Sequence, residues 1–123
     1  MHLKPHSSDI KSNGKSSVQA FATHVSSIDD VRPGYDTAIS QCMPTPDSVV
    51  YAYRFEDARG HIRENFDSAG EAGLGYRLLR TMQSQEIINS VIVLPLWYKN
   101  RSTREKGPGF FKLVEACLSD TAK

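Results

Sequence analysis

The sequence predicts an α+β fold: an antiparallel sheet with helices on one face and a further helix at the C-terminus. Three observations predict it. Residues 48–56 and 61–67 alternate in polarity on either side of a turn, as a β-hairpin does. The run Ser90–Tyr98 (SVIVLPLWY) is apolar on both faces, which suits a strand deep in a sheet. Leu74, Leu78 and Met82, and later Phe110, Leu113, Val114, Cys117 and Leu118, recur at helical spacing.

Taken in order, residues 1–17 read as a disordered tail: five serines, Gly14 and Pro5 surround only Met1, Leu3 and Ile10 as larger apolar groups. Residues 18–123 then form a single α+β domain. Val18, Phe21, Val25 and Ile28 fit a helix, whereas Phe21, Thr23 and Val25 fit a strand, so both assignments stand for residues 18–28. Arg32-Pro33-Gly34 reads as a turn, Tyr35, Ile39 and either Cys42 or Met43 as one side of a short helix, and Pro44-Thr45-Pro46-Asp47 as its end. In the hairpin, Val49, Tyr51, Tyr53 and Phe55 share a face, and Asp57-Ala58-Arg59-Gly60 makes the turn.

Ser68 and Glu71 have capping-box spacing ahead of the next helix, which runs to about residue 85. Pro95 cannot donate to a ladder, so Ser90–Tyr98 needs an edge or a bulge there. Lys99–Lys106 is a charged loop, and Pro108 suits the first turn of the last helix. With residues 18–26 as a strand, the succession is β-α-β-β-α-β, the ferredoxin-like order, plus one helix.

Composition narrows the function. The chain has 123 residues, 39% apolar and 24% charged, with fifteen basic and fourteen acidic side chains and a net charge of +1. That balance exerts no global pull on nucleic acid or an anionic membrane. Two cysteines far apart fit a reducing, cytoplasmic compartment better than a disulfide scaffold. No apolar run approaches the ~18 residues of a membrane span, and the N-terminus lacks the apolar stretch of a signal peptide.

Motifs for chemistry are sparse. Gly70, Gly73 and Gly75 give G-x-x-G-x-G, the reverse of a dinucleotide fingerprint, and read as packing glycines. Gly14-Lys15-Ser16 lacks the glycine that a phosphate loop needs five positions earlier, where Asp9 stands. The four histidines and two cysteines form no ligand cluster, so the sequence calls for no metal and no cofactor, and it singles out no catalytic residue. Cys117 reads as core, and Cys42 with a histidine as an unsupported hydrolase pair.

The leading reading is a small non-catalytic binding or regulatory module acting through protein–protein contact, as a homodimer or with another protein. Its motive is apolar surplus: if the Val49–Phe55 face meets the helices carrying Leu78, Leu79, Leu113 and Val114, the outward side of Ser90–Tyr98 needs a partner. The rival is a nucleic-acid-binding regulator. Lys99, Arg101, Arg104 and Lys106 give the loop a basic excess beside Trp97 and Tyr98, with Arg54 and Arg63 on the hairpin. A small-substrate enzyme with a pocket invisible in sequence is the third.

Overall fold

The computed structural model describes residues 6–71, 73–100, 102–104, 106–107 and 109–121. Within them, seven strands join one antiparallel sheet: β1 (His6–Ser7), β2 (Lys11–Ser12), β3 (Ser16–Val18), β4 (Phe21–His24), β5 (Ser48–Glu56), β6 (Ile62–Asp67) and β7 (Ser90–Tyr98). The helices are α1 (Val31–Ser40), entered through a 3₁₀ turn at Ile28–Asp30, α2 (Leu74–Ser84) and α3 (Phe110–Thr121). The α+β class, the hairpin and the last strand are as the sequence predicts. Among the described residues no helix is long and apolar enough to cross a membrane.

β7 is the middle of the sheet. It pairs with β5 along one side, from Ser48↔Leu96 to Arg54↔Ser90, and with β4 and then β3 along the other. β3 and β4 act as one strand interrupted at Gln19–Ala20, with the register unchanged from Val18↔Leu96 to Phe21↔Val93. The interruption resolves the problem of Pro95. The Gln19 amide donates to the Pro95 carbonyl at 3.4 Å, so the side of Pro95 without an N–H faces the gap in the ladder. Neither an edge position nor a bulge is needed.

The expectation of helices on one face is corrected. Val50, Ala52, Ile92, Leu94, Leu96 and Tyr98 pack with α2 and α3, whereas Phe21, Phe55, Val91 and Val93 pack with α1 on the opposite face. A strand apolar on both sides demands cover on both sides, and the chain supplies it itself. Residues 91–96 and Tyr98 are buried, so the outward apolar surface that motivated self-association is not there. Leu78, Leu79, Leu113 and Val114 meet the Val50–Ala52 face, not the tyrosine face. Small residues on β5 leave room for large ones on the helices.

Arg32-Pro33-Gly34 is the first turn of α1 rather than a turn before it, because early amides in a helix need no partner and proline is tolerated there. Gly34 lets the helix lie on the sheet. A Cβ at that position would come within 2.9 Å of Val91 Cγ1. α2 starts later than the capping-box spacing implies: the Ser68 hydroxyl accepts from the Gly75 amide at 2.9 Å, and Glu71 turns inward. Pro108 lies outside the described residues.

The disordered tail is also corrected over residues 6–17. β1 pairs with β4 and β2 with β3, joined to the main chain by a turn at Asn13–Lys15 in which Gly14 takes a φ of +89°. Side-chain hydroxyls and amides replace the missing apolar surface. Ser8 is 4% exposed, its hydroxyl accepts the Ala20 amide at 2.9 Å, and its own amide donates to Ala20 O at 2.9 Å. Asn13 Nδ2 and Ser16 Oγ both donate to Lys106 O, at 2.7 and 2.8 Å.

Cys117 is fully buried, its thiol 3.6 Å from Val18 O. A thiol reagent should therefore leave Cys117 untouched in the native protein and react first with half-buried Cys42, even though burial raises the Cys42 thiol. Mass spectrometry after limited labelling reads the order, and early modification of Cys117 contradicts it.

Candidate binding surface

α1 packs chiefly over β4 and β7 and touches β5 through Tyr35, while Asn65 and Asp67 on β6 stay exposed. That leaves half of one sheet face open, because Tyr51, Tyr53, Asn65 and Asp67 point to the same side as α1. The result is a groove of about 390 Å³ with Ile28, Val31, Arg32 and Tyr35 along one wall and the four strand residues below. Strand alternation puts the tyrosines there. Tyr51 is opposite Asp67 and Tyr53 opposite Asn65 across the β5–β6 ladder.

The aromatic groups are ordered against one another. Tyr35 meets Tyr51 edge-on, with ring centroids 5.6 Å apart at 73°. Tyr53 stacks on Phe55 at 5.8 Å. The Arg32 guanidinium lies 5.4 Å from the Tyr35 ring centre, and its Nε pairs with Asp36 at 3.1 Å. Burial first, then the neighbouring Tyr51, Asp36 and Asp67, raise the Tyr35 hydroxyl above its ordinary value despite Arg32, so it stays a donor at neutral pH.

Among the described residues, the basic side chains singled out from the sequence divide between the two ends of β7. Arg54 is only 14% exposed at its side chain: Nη1 donates to Ile87 O at 2.9 Å and Nε pairs with Glu64 at 3.4 Å, while Gln83 Nε2 donates to the other Glu64 oxygen. It ties the hairpin to the end of α2. Arg63 is exposed and bridges the hairpin turn to Asp57 at 2.9 Å. The His61 amide and then Arg63 hold the Asp57 carboxyl at about 2.

Trp97 donates from Nε1 to Pro44 O at 2.8 Å, and Lys99 is exposed, its amide donating to Lys15 O. Arg101 lies outside the described residues. Because Arg54 pairs with Ser90, the hairpin arginines sit at the end of β7 away from Tyr98, roughly 26 Å along the strand at 3.3 Å per residue.

Arg104 and Lys106 converge on Glu71, whose side chain is 4% exposed. Arg104 Nη1 is 3.2 Å from Oε1, Lys106 Nζ is 3.1 Å from Oε2, and Ser48 Oγ donates to Oε1 at 3.0 Å. The buried Tyr98 hydroxyl faces the same carboxylate outside good hydrogen-bonding geometry. Burial alone would raise the Glu71 carboxyl, but Tyr98, Lys106 and Ser48 outweigh it and hold Glu71 below the ordinary 4.5. Burial, and then the Glu71 charge, push Tyr98 up. This cluster fastens the basic loop to the sheet and spends two of its cations internally.

Sequence reasoning assigned Tyr51 and Tyr53 to the core and passed over Tyr35 as a site residue. One signal could have separated them from core: a face made of tyrosines instead of leucines keeps hydroxyls that want water or a partner.

The structure thus defines an antiparallel α+β module with helices on both faces and a tyrosine-lined groove beside α1. No protein-family model and no curated protein matches the chain. Among solved structures it is similar to the two-domain translational regulator Yih1, with a TM-score of 0.66 and 22% identity over 99% of this chain and 47% of that one. The chain spans just under half the length of Yih1, and the likeness is one of fold.

Proposed function

We propose that the protein is a small binding module that acts through protein–protein contact, and that the open tyrosine groove is the contact surface. The single observation carrying this is the uncovered half of the α1-side sheet face, where Tyr35, Tyr51 and Tyr53 stand half-buried beside Arg32. Tyrosine and arginine are the residue types that dominate interface energetics, since they bring large area at low rotamer cost. The surface replaces the β7 face as the motive for association.

A regulatory role for such a contact is in keeping with the likeness to Yih1, a translational regulator. The free thiols of Cys42 and Cys117 support a cytoplasmic setting. Nucleic acid is the weaker occupant of this groove. Arg32 and Arg63 are each neutralised by a carboxylate, and Asp67 adds negative charge where phosphates would lie.

The test is a photoreactive benzoylphenylalanine at Asn65 on the groove, with Lys112 on α3 as the control position. Protein adducts should form in cells from position 65, not from 112, and should vanish when Tyr51→Ala is added. An adduct of twice the chain mass identifies a second copy as the partner. Adducts to nucleic acid, or equal labelling from both positions, overturn the reading.

A further inference from the structure

We propose that the groove receives a basic side chain, arginine or lysine, presented by a partner peptide, with Tyr35, Tyr51 and Tyr53 as its aromatic walls and Asp67 as its counter-ion. This names the ligand of the surface proposed above and rests on that reading.

Three features of the pocket converge on a cation. The first is the rings. Tyr35 and Tyr51 touch edge to face, so the two rings stand at different angles along the groove, and Tyr53 continues the wall two residues along β5. Aromatic faces attract ammonium and guanidinium groups by about 0.5–2 kcal/mol, more as water is excluded. Arg32 already lies over the Tyr35 ring, an internal instance of the same attraction.

The second feature is charge. Arg32, the one basic residue lining the groove, is paired with Asp36. Asp67 uses Oδ1 to accept the Ala69 amide at 2.9 Å, and among the described residues no cation pairs with it. The pocket therefore keeps an unspent negative charge beside aromatic rings. An acidic or phosphorylated ligand would meet that charge, and a purely aliphatic one would strand it.

The third is rigidity. Tyr51, Tyr53, Asn65 and Asp67 sit on two paired strands and Tyr35 on a helix packed against β7, so the walls are held by regular structure rather than by loops. Asn65 accepts the Phe66 amide through Oδ1 at 2.8 Å, which leaves its Nδ2 for a peptide carbonyl.

Amide chemical shifts of the isotope-labelled full chain, titrated with N-acetyl-arginine methylamide, N-acetyl-lysine methylamide and the neutral N-acetyl-norleucine methylamide, test this. The two basic probes should give saturable millimolar shifts confined to residues around Tyr35, Tyr51, Tyr53 and Asp67, and norleucine should not. Asp67→Asn keeps the acceptor for Ala69, so the fold should persist while the affinity for both basic probes falls at least fivefold. Glu115→Gln, on α3, should change nothing. An equal response to norleucine, or undiminished binding by Asp67→Asn, overturns the basic ligand. The crosslinking result is independent of side-chain identity, so adducts from position 65 without probe binding remove this inference and leave the protein-contact reading standing.

Discussion

Glu71→Ala should lower the melting temperature by about 8 °C, the equivalent of about 2 kcal/mol at this chain length. The carboxylate is buried, and its removal takes the acceptor from the Ser48 hydroxyl, the charged neighbour from the Tyr98 hydroxyl and the counter-ion from two cations. The loss stays below the 3–5 kcal/mol seen when a fully buried pair is broken, because Arg104 and Lys106 are 52% and 35% exposed at their side chains and can turn to water. pH supplies a second reading. The folded-state value of Glu71 is depressed, so its stabilisation is fully present above the unfolded value near 4.5 and fades as pH falls through the lowered folded one. Wild-type stability should drop below pH 4.5, and Glu71→Gln should flatten that part of the curve. An unchanged melting temperature in Glu71→Ala means the loop is held by its backbone alone.

Much of the scaffold is written in local pattern. β5 and β7 occupy the segments that β-branched and aromatic content marks, Ser48–Glu56 and Ser90–Tyr98, and the stripes of α2 and α3 face the core as their spacing requires. The assignment of faces was not legible. On β5, Val49–Tyr51–Tyr53–Phe55 looks the more apolar side, yet Val50 and Ala52 are fully buried and the tyrosines only half so. Burial depends on which helix passes overhead, and strand alternation alone does not carry that information. The doubly apolar β7 did carry it: one-sided cover was inconsistent with Val91 and Val93 on one face and Ile92, Leu94 and Leu96 on the other.

The candidate site was legible only in its parts. Arg54, Arg63, Arg104 and Lys106 looked like free cations in the sequence, but each finds a carboxylate from a distant stretch of chain or across a turn. Ion pairs between segments are set by topology. The groove is of the same kind, since Tyr35 meets Tyr51 only because α1 crosses back over the sheet after β4. Asn13-Gly14 is the opposite case, a strong hairpin signal that lay in plain view. The serine-rich flanks hid it, because serine is read as solvent-facing, whereas Ser8 and Ser16 are buried and satisfied.

Deleting residues 1–15 is accordingly expected to cost about 2–3 kcal/mol, a fall of about 10 °C in melting temperature. The bonds to the rest of the chain that the deletion removes include Ser8 amide to Ala20 O, Ala20 amide to Ser8 Oγ, Gln19 Nε2 to Ser8 O, Asn13 Nδ2 to Lys106 O, Ser16 amide to Asn13 Oδ1 and Lys99 amide to Lys15 O. Each is worth about 1 kcal/mol net, the β1 and β2 ladders add to them, and the entropy of ordering the segment offsets a share. β1 and β2 also lie beside α3, where Asp9 O sits 3.9 Å from the Cys117 thiol. The truncated chain should therefore unfold earlier and, in the same sample, label Cys117 faster than the full chain does. The two readouts come from different physics, one from lost hydrogen bonds and one from opened access. A truncated protein that keeps both its melting temperature and its protected Cys117 would return residues 6–15 to the status of a dispensable tail.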